Sequence, residues 1–184
     1  MNDHLRVIFE RLLPCLEKFK IKYWVFGGVS IAAYAGRFIR HNDDVDIFVE
    51  DVDFENAKSI LYEVCREDNS KLIITYLKVS KRPKVEIKIN NIKKFSMIPV
   101  YQKDNGTLFK YDDGDQKYSN QVLERIRRNI SGYEFFTSRD EFIKGMFINH
   151  IKARPDKKNR DKIKKDALAI LSHEDFSNLN WYIS

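Results

Sequence analysis

Apolar positions near the N-terminus recur at helical spacing. Leu5, Ile8, Phe9, Leu12, Leu13, Leu16 and Phe19 fall at three- and four-residue steps, which predicts an amphipathic helix over 5–19 with Pro14 as a candidate kink. The pattern then shortens. Tyr23 to Phe26 is an apolar run ending at Gly27-Gly28 and reads as a buried strand, while Val29 to Ala35 reads as a helix closed by Gly36. Val45 to Val49 alternates aliphatic with acidic or aromatic residues and predicts a second strand. Asp53 is placed to cap a helix carrying Phe54, Ala57, Ile60, Leu61 and Val64. Lys71 to Val79 and Lys84 to Ile89 follow as strands, separated by Arg82-Pro83. The middle of the chain is weakly patterned, with turns marked by Asn105-Gly106 and Asp113-Gly114. Tyr133 to Thr137 is a further strand, and Ser138 is a candidate cap for a helix over 141–151. After a basic linker at 154–159, a final helix turns Ile163, Ala167, Ile170 and Leu171 inward. The predicted class is α+β: a small mixed sheet flanked by helices, with a core over 1–137 and a C-terminal helical extension over 138–184.

Composition adds little to the fold but excludes several settings. A chain of 184 residues, 43% hydrophobic, can build one core with a small appended unit. No run approaches the roughly 20 apolar residues of a membrane helix, and the N-terminus lacks the basic-then-apolar order of a signal peptide, so a cytoplasmic protein without a membrane partner is expected. Cys15 and Cys65 lie in apolar helical surroundings without CxxC spacing and read as reduced, buried thiols. The net charge of +6 arises from 33 basic against 27 acidic residues, and the excess is local. Lys and Arg crowd the stretch from Lys152 to Lys165, either to attract phosphate or simply as a solvated helix face.

The chemistry concentrates between Trp24 and Glu50, WVFGGVSIAAYAGRFIRHNDDVDIFVE. Asp44 and Asp46 flank Val45, so strand alternation sends both carboxylates to one side and Asp43 to the other. Two carboxylates so close repel, and a divalent cation between them relieves this. Hard oxygen ligands favour Mg²⁺, which keeps positions for water and phosphate. Gly27-Gly28, at a strand end and a helix start, lets backbone N–H groups approach an anion without a Cβ in the way. Ser30 is either a donor to a terminal phosphate or a first-turn helix residue.

The order strand, GG, helix, DVD resembles the nucleotidyltransferase superfamily. It is most similar to the branch containing aminoglycoside and lincosamide nucleotidyltransferases and the toxin-type relatives of abortive-infection systems. The resemblance implies transfer of a nucleoside monophosphate from an NTP to an acceptor hydroxyl with release of pyrophosphate. It implies a third carboxylate on a neighbouring strand, for which Glu86 is the natural position, so that Asp44, Asp46 and Glu86 would be catalytic and would bind Mg²⁺, as two ions. Gly27, Gly28, Ser30, Arg37 and Arg40 fall where it places the triphosphate, with His41 beside them. Its C-terminal pattern, a late lysine in one helix and then Arg, Lys and Asp in the next, maps onto Lys152, Arg160, Lys162 and Asp166; Ile163 departs from it, standing where an acidic residue is usual. The acceptor is open between a small molecule, RNA and protein. A drug-modifying enzyme conferring antibiotic resistance needs an acidic pocket, whereas a toxin acting on RNA, with an antitoxin partner, would use a basic surface. A degenerate nucleotide- or RNA-binding module is the non-enzymatic alternative, but fold alone gives no reason to retain repelling carboxylates on one face.

Overall fold

The computed structural model describes residues 2–67, 71–76, 83–111, 114–153, 160–172 and 174–175. Its first helical stretch widens into a π-turn at Ile8–Leu12 before α1 (Leu13–Lys18). The widening falls where Pro14 has no N–H to give and its ring crowds the carbonyl one turn back. β1 (Tyr23–Phe26) runs straight into α2 (Gly27–Tyr34). That helix closes as the residues foretold: Gly36, at φ +69°, donates to the Ala33 carbonyl and Arg37 to that of Ala32. β2 (Val45–Glu50) follows, then α3 (Phe54–Glu67), which begins directly after Asp53.

β3 (Lys71–Tyr76) pairs with β4 (Pro83–Ile89); the expected extension of β3 to Val79 lies outside the described residues. The weakly patterned middle holds four strands: β5 (Ile92–Lys103), β6 (Gly106–Tyr111), β7 (Gly114–Tyr118) and β8 (Ile126–Ile130). Its expected Asn105-Gly106 turn joins β5 to β6, while Asp113 of the expected Asp113-Gly114 turn lies outside the described residues. β5 hides from pattern reading because every residue from Phe95 to Val100 is buried, so no alternation marks it, and Pro99 argues against a strand. β9 (Tyr133–Thr137) precedes α4 (Asp140–Ala153) and α5 (Arg160–Ile170). Ser138 does not cap α4. The Arg139 carbonyl accepts the first helical bonds, and Ser138 is buried one residue upstream.

The result is a mixed sheet ordered β3-β4-β5-β2-β1-β9-β8, with β6 and β7 branching from the far end of β5. β2 runs parallel to β5 and antiparallel to β1. Val45 and Ile47 enter the main core with Leu12, Leu16, Phe54 and Leu61, so helices α1 and α3 cover that face. On the other face, Phe48 packs with Trp24, Ile98, Phe109 and Phe142. Ile31 of α2 meets Ile143, Phe147, Ala167 and Ile170, which fastens α4 and α5 beside the glycine end of β1. Among the described residues, no helix is long and apolar enough to cross a membrane.

Candidate active site

A cleft of about 600 Å³ opens where the end of β1 and the start of β2 face α4 and α5. Its floor begins with two glycines whose roles differ. Gly27 turns the chain from strand to helix at φ +68°, and a Cβ there would lie 3.2 Å from Asp46 Oδ2. Gly28 has ordinary backbone angles, but a Cβ would collide with Asn42 Oδ1 and the Arg40 guanidinium. Only glycine meets both demands.

Asp44 and Asp46 both line this cleft, with 22% and 25% of their side chains exposed. Asp43 lines it too. It sits in a bend two residues before β2 opens, beyond the reach of strand alternation, and the expectation that it would turn away is corrected. Lys162 of α5 reaches across to Asp43 at 2.5 Å, and this hydrogen bond, against some desolvation, holds the Asp43 carboxyl below the usual range. Asp46 is shifted the other way: burial first, and the neighbouring Asp44 charge second, push its carboxyl up. Ser96 donates a hydrogen bond to Asp46 Oδ1.

The sheet register places Glu86 one strand further from Asp46 than the neighbouring strand expected for a third carboxylate. The residue opposite Asp46 on the adjacent strand β5 is Ser96, and Glu86 lies opposite Ser96 on β4, one strand further out. Two strand spacings put the Asp46 and Glu86 backbones about 10 Å apart. Glu86 shares the face but binds Lys84 at 3.1 Å, and it is Lys84 that lines the cleft. Among the described residues, no group of three His, Cys, Asp or Glu side chains converges on a point suited to a metal. The donors present fit one divalent ion on Asp44 and Asp46, with phosphate and water completing its shell.

What stands beside the aspartates is an amine. Lys93 Nζ lies 2.5 Å from Asp44 Oδ2 and 3.9 Å from Asp46 Oδ1. Burial works against its charge, but the Asp46 and Asp44 carboxylates outweigh this and hold it above the ordinary lysine range.

The remaining candidates divide. Arg40 lines the cleft and makes a bidentate ion pair with Asp166 of α5 at 2.7 and 2.8 Å, plus a 3.0 Å bond to Asn42. Ser30 is buried, and its hydroxyl is committed to the Gly27 carbonyl at 2.8 Å, the first-turn role rather than a contact with the cleft. Arg37 is exposed and away from the cleft wall, as is Lys152 at the end of α4. Arg160 opens α5, and its side chain lies outside the described residues. His41 stacks on His4 with ring centres 4.5 Å apart and faces Asp43 at 3.6 Å. Sequence reading missed Asn42, Lys84, Lys93 and Ser96. Lys84 was legible as a neighbour of Glu86 on an expected strand, whereas Lys93 and Ser96 sit on the strand that carried no pattern.

The comparisons with known proteins agree with this geometry. The family model for aminoglycoside-2''-adenylyltransferase matches residues 8–96. The structure of ANT(2'')-Ia in complex with adenylyl-2''-tobramycin superposes with a TM-score of 0.64 at 14% identity, over 99% of this chain and 97% of that one. The lincosamide antibiotic adenylyltransferase LnuA, lincomycin-bound, gives 0.58 at 15% identity over 84% and 91% of the respective chains. An antigenic nucleotidyltransferase-like protein from Paracoccidioides brasiliensis gives 0.54 at 16% over 91% and 75%. No curated protein matches the chain in sequence. The family model spans just under half of the chain and the structures share its fold, so the glycine turn, the paired aspartates and the fold together support the nucleotidyltransferase superfamily, a class of enzymes. Within that class, the matched family model and these structures support the aminoglycoside and lincosamide branch.

Proposed function

We propose that the protein transfers a nucleoside monophosphate from an NTP to an acceptor hydroxyl in the cleft bounded by Gly27, Asp46 and Lys162. The observation carrying this reading is the placement of Asp44 and Asp46 against the Gly27-Gly28 turn, where carboxylates and an open backbone edge face one space. Asp44 and Asp46 would hold a divalent ion, Mg²⁺ by the hardness of the oxygen donors; when bound it would neutralise charge developing on the phosphates. The missing Cβ atoms of Gly27 and Gly28 leave room for the triphosphate. Lys162 and Arg40, on the helical side, offset its charge, and Glu86 acts as a positioning residue that keeps the Lys84 amine at the cleft. The segment from Ser138 onward acts as the unit that closes the nucleotide cleft.

The acceptor reading follows from the charge balance. Four cleft carboxylates, Asp43, Asp44, Asp46 and Asp166, all face cations: Lys162, Lys93 and Arg40. Among the described lining residues no carboxylate is left over for ammonium groups, so the cleft suits a neutral or anionic hydroxyl acceptor better than a polycationic aminoglycoside. A neutral antibiotic hydroxyl is the first reading. An RNA terminus is the second, favoured by the net charge of +6.

Incubation with Mg²⁺ and each α-labelled NTP, against lincosamide, aminoglycoside and RNA acceptors, tests both halves. Label transfer with pyrophosphate release, abolished by Asp46→Ala, is expected. Background transfer to every acceptor, equal in Asp46→Ala and wild type, overturns the reading.

A further inference from the structure

Lys93 reaches the aspartates because of a defect in strand pairing. Ile87 pairs with Phe95, yet the next residue on β4, Lys88, pairs with Lys93, so β5 carries one extra residue, Lys94, at this point. Side chains alternate along a strand, and Lys93 lies two positions from the fully buried Phe95, so regular pairing would send it toward the core. The extra residue reverses that sense and delivers the amine to the face of Asp46, Ser96 and Glu86. Bulges beside active sites re-aim side chains in this way.

Around the aspartate pair, the neighbours are chosen consistently. The strand next to β2 offers Ser96, a neutral hydroxyl already donating to Asp46, and Glu86 is tied to Lys84. Asp44, Asp46 and Glu86 set against Lys93 and Lys84 carry a net charge of −1, enough to hold one divalent ion and its phosphates but short of the uncompensated negative charge that two ions need.

We propose that Lys93 is a built-in cation taking the place of a second metal ion, so that the site takes one divalent ion together with its nucleotide. This rests on the reading of the cleft as an NTP site, but its test does not depend on turnover. In the absence of nucleotide the Lys93 amine competes with metal for Asp44 and Asp46. With nucleotide bound, it remains as a fixed positive charge beside the phosphates.

The test counts metal directly. Equilibrium dialysis with Mn²⁺ and a saturating α,β-methylene NTP analogue, read by electron paramagnetic resonance, is expected to find one protein-bound Mn²⁺ per chain. Two ions per chain, or none, overturns the proposal. Without nucleotide, Lys93→Met is expected to bind Mn²⁺ about tenfold more tightly than wild type, because the competing charge is gone, while Lys93→Arg stays near wild type. Unchanged affinity in a Lys93→Met protein that melts cooperatively also overturns it; if that variant does not fold, the wild-type count decides alone. One bound ion without nucleotidyl transfer would leave this inference standing and refute the proposed function. Transfer with two bound ions would do the reverse.

Discussion

Arg40 and Asp166, 126 positions apart in sequence, close on each other through two parallel hydrogen bonds of 2.7 and 2.8 Å. Their side chains are 14% and 6% exposed, so the pair ties the segment between α2 and β2 to α5 in a largely water-free setting. Removing one partner strands the other charge. Asp166→Asn or Arg40→Met is therefore expected to cost about 3 kcal/mol in urea unfolding, and Arg40→Met/Asp166→Leu to recover part of that loss. If the double variant lies as low as the sum of the singles, the pair is not coupled as described.

The two glycines separate steric from conformational demands. Gly27→Ala forces a side chain to φ +68° and toward Asp46, for about 1–2 kcal/mol of strain. Gly28→Ala instead displaces Arg40 and Asn42. Both are expected to weaken NTP binding in calorimetry at least tenfold. Only Gly28→Ala should also perturb the Arg40–Asp166 pair, seen as a loss of coupling when it is combined with Asp166→Asn.

Acid titration isolates Asp46. Its carboxyl is pushed up by burial and by Asp44, so the folded protein takes up a proton at a pH where the unfolded chain does not. Across that window, above the ordinary aspartate range, this group makes the metal-free protein more stable as pH falls and less stable as it rises. Divalent-ion affinity runs oppositely, falling as the carboxyl protonates. Melting temperatures of wild type minus Asp46→Asn, taken from neutral pH down to about pH 4 with and without Mn²⁺, should show the two trends crossing.

Thiol chemistry reports the core. Cys65 is 2% exposed, and burial raises its thiol to about 11, whereas Cys15 is only half-buried. Alkylation at pH 8 is expected to modify Cys15 alone in the native protein and both cysteines in guanidinium. Rapid native labelling of Cys65 would mean that α3 opens locally.

Much of the candidate site was legible because it is local. Gly27, Gly28, Asp44 and Asp46 lie within one strand, one turn and the start of the next strand, and short-range rules connect them. Arg40, Lys162 and Asp166 were found as types in a pattern, without any indication that Arg40 would bind Asp166 or Lys162 would bind Asp43. Glu86 was placed on the right face of the sheet but one strand too close, since alternation gives the face and says nothing of strand order.

By itself, the sequence determined the strand, glycine turn and helix unit, the facing aspartates, and the amphipathic helices, because each depends on periodicities of 2 or 3.6 residues within a short window. Tertiary structure alone decided that Ser96 rather than Glu86 sits beside Asp46, that a single extra residue turns Lys93 onto the aspartates, and that the cleft's carboxylates face cations. Strand order, register and bulges are properties of pairing between distant segments. On β5, where burial on both faces erases alternation, the chain carries no local trace of them.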